Sequence, residues 1–103
     1  MTKLYLNTSN EFTINSYSRY TSVNGDTVTS NASVSFPDTS DYDDLAALME
    51  TEITDLQIKI DGTSVYHLTN TSGRITSINE YLESETVYMN AQIMFGEGEN
   101  NEL

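Results

Sequence analysis

Residues 85–95, ETVYMNAQIMF, alternate without a break: Val87, Met89, Ala91, Ile93 and Phe95 fall on one side of an extended chain. A period of two puts successive side chains on opposite faces, so this segment buries its apolar set as a strand lying on a core. The same period runs through DTVTSNASVSF. There Val28, Ala32, Val34 and Phe36 share a face with Ser30, while Thr27, Thr29, Asn31, Ser33 and Ser35 share the other. In DLQIKI, Leu56, Ile58 and Ile60 alternate with Gln57 and Lys59. The chain has 26 serines and threonines and 10 asparagines, enough to clothe the outer face of such a sheet.

The punctuation between these runs is hairpin chemistry. Asn24-Gly25, between EFTINSYSRY and the Val28–Phe36 strand, is the pair favoured in a type I′ turn, so the flanking strands are expected to pair antiparallel. Asp61-Gly62 gives the same signal between DLQIKI and TSVYHLT, and NTSG at 70–73 predicts a further turn. RITSI is short. Ser77 with Glu80 matches a capping box, so INEYLE reads either as one helical turn or as a continuing strand. GEGENNEL is a polar, acidic ending, expected to be a flexible tail over 96–103 beyond a single domain at 1–95. The 103 residues fit one domain with one core.

FPDTSDYDDLAALMETEITDL breaks the pattern. Pro37 ends a strand, and Ser40 or Asp41 suits an N-cap. Acids in a first helical turn face the positive end of the helix dipole. Leu45, Leu48 and Met49 have i, i+3, i+4 spacing, with Tyr42 seven residues before Met49. The fold class expected is therefore α+β: a mainly antiparallel sheet of five or six strands, with one principal helix at about 41–52 packed on one face.

Most chemistry fails on residue type or spacing. A calcium loop begun at Asp41 has Asp43 at its third position and Glu52 at its twelfth, but Leu45 and Ala46 stand where a ligand and a glycine are needed. There is no cysteine and one histidine, His67, in mid-strand, so thiolate and histidine-cluster metal sites are excluded. A lone strand histidine reads as a packed or cross-strand partner, and no G-x-S-x-G elbow occurs. The acids gather at a helix start and at the chain end, where water screens them, rather than as a paired catalytic set. GEGENN carries acids where a phosphate loop needs bare backbone donors. No apolar run is long enough to span a membrane, and MTKLYLNTSN lacks the apolar stretch of a signal peptide. No enzymatic activity and no cofactor are expected.

Charge points to binding. The net charge is −12, and it is uneven: residues 1–37 are neutral, 38–61 hold eight acids against Lys59, and 80–103 hold six acids and no base. Such a field opposes direct contact with nucleic acid or anionic membrane and favours a basic protein partner. The candidate partner-binding residues are Asp38, Asp41, Asp43, Asp44, Glu50 and Glu52, joined by Tyr17, Arg19 and Tyr20 of YSRY, because exposed Tyr and Arg anchor interfaces. Open sheet edges add a route to self-association.

Three stretches, KLYLNTSNEFTINSYSRYT, DYDDLAAL and GRITSINEYLESETVYMNAQIMF, resemble small proteins carried by tailed bacteriophages and prophages. The resemblance implies a virion or assembly component, or an inhibitor of host defence. Small acidic inhibitors of that kind, anti-CRISPR proteins among them, often occupy a basic nucleic-acid groove. It implies the bacterial cytoplasm or the virion as location and carries over no functional residue. The expectation is an acidic inhibitor covering a basic, nucleic-acid-binding surface of a host protein; the alternative is a structural module of a phage particle.

Overall fold

The computed structural model describes residues 1–96 and 101–102. The chain is mostly antiparallel sheet with one short helix. Its strands are β1 (Thr2–Leu6), β2 (Asn10–Thr13), β3 (Ser16–Asn24), β4 (Thr27–Phe36), β5 (Ile53–Ile60), β6 (Thr63–Glu83), β7 (Thr86–Phe95) and β8 (Asn101–Glu102). Seven of them, rather than five or six, follow one path in the order β2-β1-β5-β6-β7-β4-β3, and the two-residue β8 lies off it against β6.

Two corners fold this path onto itself. The first joins its ends. β2 and β3 are at opposite edges of the order, yet only Ile14 and Asn15 separate them. Three residue steps span at most about 11 Å, so the two edges must meet. The Ile14 N–H donates to Thr2 of β1 at 3.1 Å, and the next N–H, from Asn15, donates to Ser35 of β4 at 2.7 Å. The chain thus changes partners between two consecutive amides.

The second corner is within β6. Its 21 residues would run roughly 65 Å if straight, against a longest molecular dimension of 44 Å. The strand bends instead. Residues up to Gly73 pair with β5, and those from Gly73 onward pair with β7. The bend lies at NTSG, which is a bulge in a continuing strand and not the expected reversal. Asn70 has φ 56°, and four residues of β6 (69 to 73) pass while β5 advances by two (55 to 53). Buried Thr71 fills the irregularity by donating its hydroxyl to the Ile53 carbonyl. INEYLE resolves as strand.

The corners divide the sheet into two facing halves: β2-β1-β5 with the start of β6, and the rest of β6 with β7-β4-β3. Leu4, Leu6, Phe12, Leu56 and Leu68 from one half meet Val34, Phe36, Met89, Ile93 and Phe95 from the other in a single core. Phe12 and Phe36 touch edge to face across it at 6.3 Å.

The helix is shorter than 41–52. α1 spans Tyr42–Ala47, and a 3-10 turn follows at Leu48–Glu50. Thr51 then turns extended and feeds β5. Leu45 is buried in the core between the halves, with Leu48 and Met49 half-buried against it. The helix therefore sends Leu45 into the core that the two halves share. Asp41 occupies the N-cap position without a side-chain cap bond. Asp38 instead binds Ser40, accepting from its N–H at 2.9 Å and its hydroxyl at 2.7 Å.

Both strong hairpins form. Asp61-Gly62 closes β5 onto β6 with φ 49° and 86°, both left-handed as a type I′ turn requires. The β3–β4 turn sits one residue later than expected. Asn24 pairs with Thr27, and Gly25-Asp26 form the tip, with Gly25 at φ 67°. A glycine at the first central position is what a type II′ turn asks for.

Candidate functional site

The acidic segment is gathered on and around α1. Asp38, Asp43, Asp44, Glu50 and Glu52 are exposed, and Asp41 is half-buried. Burial raises the Asp41 carboxyl above its ordinary pKa, and the negative charges of Asp38 and Asp44 push it further; Lys3 opposes them. Asp38, Asp41 and Asp44 therefore share one field. The Asp38 carboxyl is held below its ordinary value by the two Ser40 hydrogen bonds. Glu50 and Glu52 lie past α1, where the chain enters β5. Glu52 accepts from the Ser72 hydroxyl at 2.9 Å on β6.

Ion pairs among the described residues lie elsewhere. The Met1 amino group meets Asp61, Lys3 meets Glu11 at 3.3 Å, and His67 meets Asp55 at 2.9 Å. The six acids from 38 to 52 thus carry no ion pair among the described residues, on a stretch that contains no base. Tyr42 stands beside them, 41 % exposed.

YSRY divides. Period two sends Tyr17 and Arg19 toward the interior and leaves Tyr20 outside, 64 % exposed. Tyr17 and Arg19 meet Tyr66 of β6, a residue that no motif in VYHL marks out. With Ser18 and Thr21 these residues line a pocket of about 340 Å³. Among the described residues the acidic group and the Tyr-Arg group make no hydrogen bond or ion pair with each other, and they stand as two sites. A second recess of about 340 Å³ lies between the β1–β2 hairpin and α1, lined by residues that include Glu11, Phe12 and Asp44.

His67 is a cross-strand partner. It sits opposite Gln57 on β5, and its Nε2 reaches Asp55 Oδ2 at 2.9 Å. The other Asp55 oxygen is buried without a hydrogen-bond partner among the described residues. Near by, Lys59 lies over the Tyr5 ring at 4.9 Å, and Gln57 donates to Ser64 at 2.8 Å. This outer face is a knit of neighbouring polar side chains.

No group of three or more Asp, Glu or His among the described residues is arranged to hold a metal ion, and no described helix is long and apolar enough to cross a membrane. The tail expected at 96–103 lies mostly outside the described residues, of which Asn101 and Glu102 form β8 against Leu68 and Thr69. No protein-family model matches the chain, and no curated protein matches it.

A last feature projects from the body. β4 pairs with β7 no further than Phe36 opposite Met89, and β5 leaves β6 at Gly73. Beyond Met89, β6 and β7 pair only with each other among the described residues: Tyr81 with Tyr88, Leu82 with Val87, Glu83 with Thr86. The two tyrosines stack at 5.7 Å. Leu82 is 71 % exposed and Val87 46 %.

Proposed function

We propose that this protein is a non-enzymatic protein-binding module whose acidic helical segment covers a basic surface on a partner, one that otherwise holds nucleic-acid phosphates. The observation that carries this reading is the run of six carboxylates, Asp38 to Glu52, with no ion pair among the described residues and an exposed Tyr42 among them. Acids without an ion pair retain attraction for an incoming cation, and a neighbouring tyrosine supplies apolar area at little entropic cost. The resemblance to phage proteins makes a bacterial host protein the partner to look for.

The test is capture from nuclease-treated bacterial lysate on tagged protein, washed at low and then high salt. The expected result is a basic nucleic-acid-binding protein that salt releases and that a variant with Asp41, Asp43 and Asp44 changed to lysine does not retain. Capture indifferent to both salt and the triple reversal refutes it.

A second reading, a structural module of a phage particle, is favoured by the projecting β6–β7 arm. Leu82 and Val87 form an exposed apolar pair at its end, on strands whose outer flanks have no strand partner among the described residues. That reading predicts concentration-dependent self-association that Leu82→Glu abolishes. A strictly monomeric protein that is absent from purified particles removes it.

A further inference from the structure

The arm at the end of β6 and β7 has an edge as well as a face. Ser84-Glu85 is a two-residue turn, so its closing pair, Glu83 and Thr86, exchanges both cross-strand hydrogen bonds. Alternation from that pair makes Leu82–Val87 and Glu80–Met89 the non-bonded pairs. The N–H and C=O groups of Ile78, Glu80 and Leu82 therefore turn away from β7, toward the flank of β6 that β5 leaves at Gly73. No backbone group among the described residues bonds to them there. Their side chains share one face. Val87, Met89 and Ala91 carry the core face of β7, and their partners Leu82, Glu80 and Ile78 extend it across β6. Ile78 still packs against the core, while Glu80 and Leu82 beyond it are exposed. On the opposite face the stacked rings of Tyr81 and Tyr88 brace the two strands.

The undescribed residues are too short a stretch to cover this edge. Residues 97–100 are tied at Gly96, whose N–H is bound to Ser72, and at Asn101, opposite Thr69. Five residue steps fixed at both ends reach out about 9 Å, whereas Leu82 lies ten residues past Ser72, about 33 Å along the strand. Leu103 adjoins Glu102, which is opposite Leu68 and farther still.

Charge selects the occupant. Glu80, Glu83 and Glu85 surround the Leu82–Val87 pair, and no base occurs from Ile75 to Phe95. A second copy laid on this edge sets its own acids against these, so the edge favours a basic strand over its like. We propose that the β6 edge of the arm, Ile78–Glu83, is a strand-addition site for an extended segment of a partner in which apolar residues alternate with lysine or arginine. The segment bonds the main chain at Ile78, Glu80 and Leu82. Its apolar side chains lie beside Ile78 and Leu82, and its bases turn to the opposite face, beside Glu83. The proposal rests on the reading of this protein as a binder of a basic partner, and it gives that partner a second contact besides the segment around α1.

The experiment titrates the full isotope-labelled chain with an acetylated, amidated hexapeptide of alternating lysine and valine, followed by amide chemical shifts. Two further probes are the glutamate–valine counterpart and the lysine–valine peptide N-methylated at its valines, the residues whose N–H groups would face β6. The expected result is saturable shifts at Ser77–Glu83 and slowed hydrogen exchange at Ile78, Glu80 and Leu82. Either altered peptide, or Glu80→Gln combined with Glu83→Gln, should weaken binding about fivefold or more at low salt. Equal binding of the N-methylated peptide overturns strand addition. Equal binding of the glutamate peptide, or unchanged binding by the folded double variant, overturns the charge selection. Shifts confined to Asp38–Glu52 overturn the arm as the site and leave the basic-partner reading standing, whereas no response anywhere to the lysine peptide tells against both. Concentration-dependent self-association that Leu82→Ser abolishes, with no peptide response at Ser77–Glu83, overturns the proposal and assigns the arm to a second copy.

Discussion

Replacing Gly73 by alanine tests the bend of β6. Gly73 is opposite Ile53 on one side and Phe95 on the other, so it sits where the strand passes from one half of the sheet to the next. A Cβ built there lies 2.9 Å from two carbons of the Phe95 ring and 3.4 Å from Ile93 Cγ2. Comfortable carbon contacts lie at about 3.5–4.0 Å, so the ring would have to retreat by more than half an ångström. It has nowhere to go: Phe95 is 1 % exposed, and Arg19 lies over its face. Overpacking of this kind costs about 1–3 kcal/mol. Alanine's smaller unfolded-state entropy returns less than about 1 kcal/mol, so the net effect is a loss. For a domain of this size each kcal/mol lowers Tm by about 4–8 °C. Urea unfolding should show a lower midpoint with unchanged slope. Gly96→Ala is the control, because its Cβ meets nothing closer than 3.5 Å. In a Phe95→Leu background the alanine should cost much less, since the ring it strikes is gone. Gly73→Ala matching Gly96→Ala within about 0.5 kcal/mol refutes the reasoning.

The β6–β7 turn holds Ser84 and Glu85 at φ 50° and 65° without a glycine. Changing the pair to Asn-Gly should stabilise by about 1 kcal/mol, read as a higher Tm. His67→Ala leaves a half-buried Asp55 with neither oxygen satisfied; it should cost about 1–3 kcal/mol in urea unfolding, and adding Asp55→Ala should recover part of that. Asp41 has a raised carboxyl pKa, so its ionised form opposes folding at neutral pH and its protonated form does not. Asp41→Asn should therefore be the more stable protein at neutral pH, by no more than about 0.5 kcal/mol for a half-exposed group. The difference should fade below the ordinary aspartate pKa of about 3.9, and a gap that widens in acid contradicts the assignment.

Periodicity revealed the strands because each half-buried strand here carries a long alternating run. Val34, Phe36, Met89, Ala91, Ile93 and Phe95 are all buried as that pattern requires. β1 offers only Leu4 and Leu6 in five residues, too short a signal to separate from chance. The bend in β6 was hidden for a different reason. NTSG has turn chemistry, and a bulge and a reversal draw on the same residues; pairing on both flanks of Gly73 decides between them, and that is a tertiary fact. The Asp38–Asp44 acids were visible as composition, and their mutual effect on Asp41 needed the fold. Of YSRY, Tyr17 and Arg19 reach the pocket, while Tyr66 comes to it from 47 residues beyond Arg19. Nothing in VYHL marks Tyr66 as the partner.

The joint at Ile14 and Asn15 bears on how the chain folds as well as on its shape. The hairpins β3–β4, β5–β6 and β6–β7 are each local in sequence and can form early. The pairing of β1 with β5, which aligns Leu4 with Ile58, spans more than fifty residues. Because Ile14 and Asn15 tie β2 at one end of the strand order directly to β3 at the other, neither half reaches its full complement of partners until the other has assembled. Loop-closure entropy is then spent late and all at once, which predicts slow folding typical of high contact order. It also predicts a single cooperative unit in native-state hydrogen exchange, with the amides of Ile14 and Asn15 opening only in global unfolding.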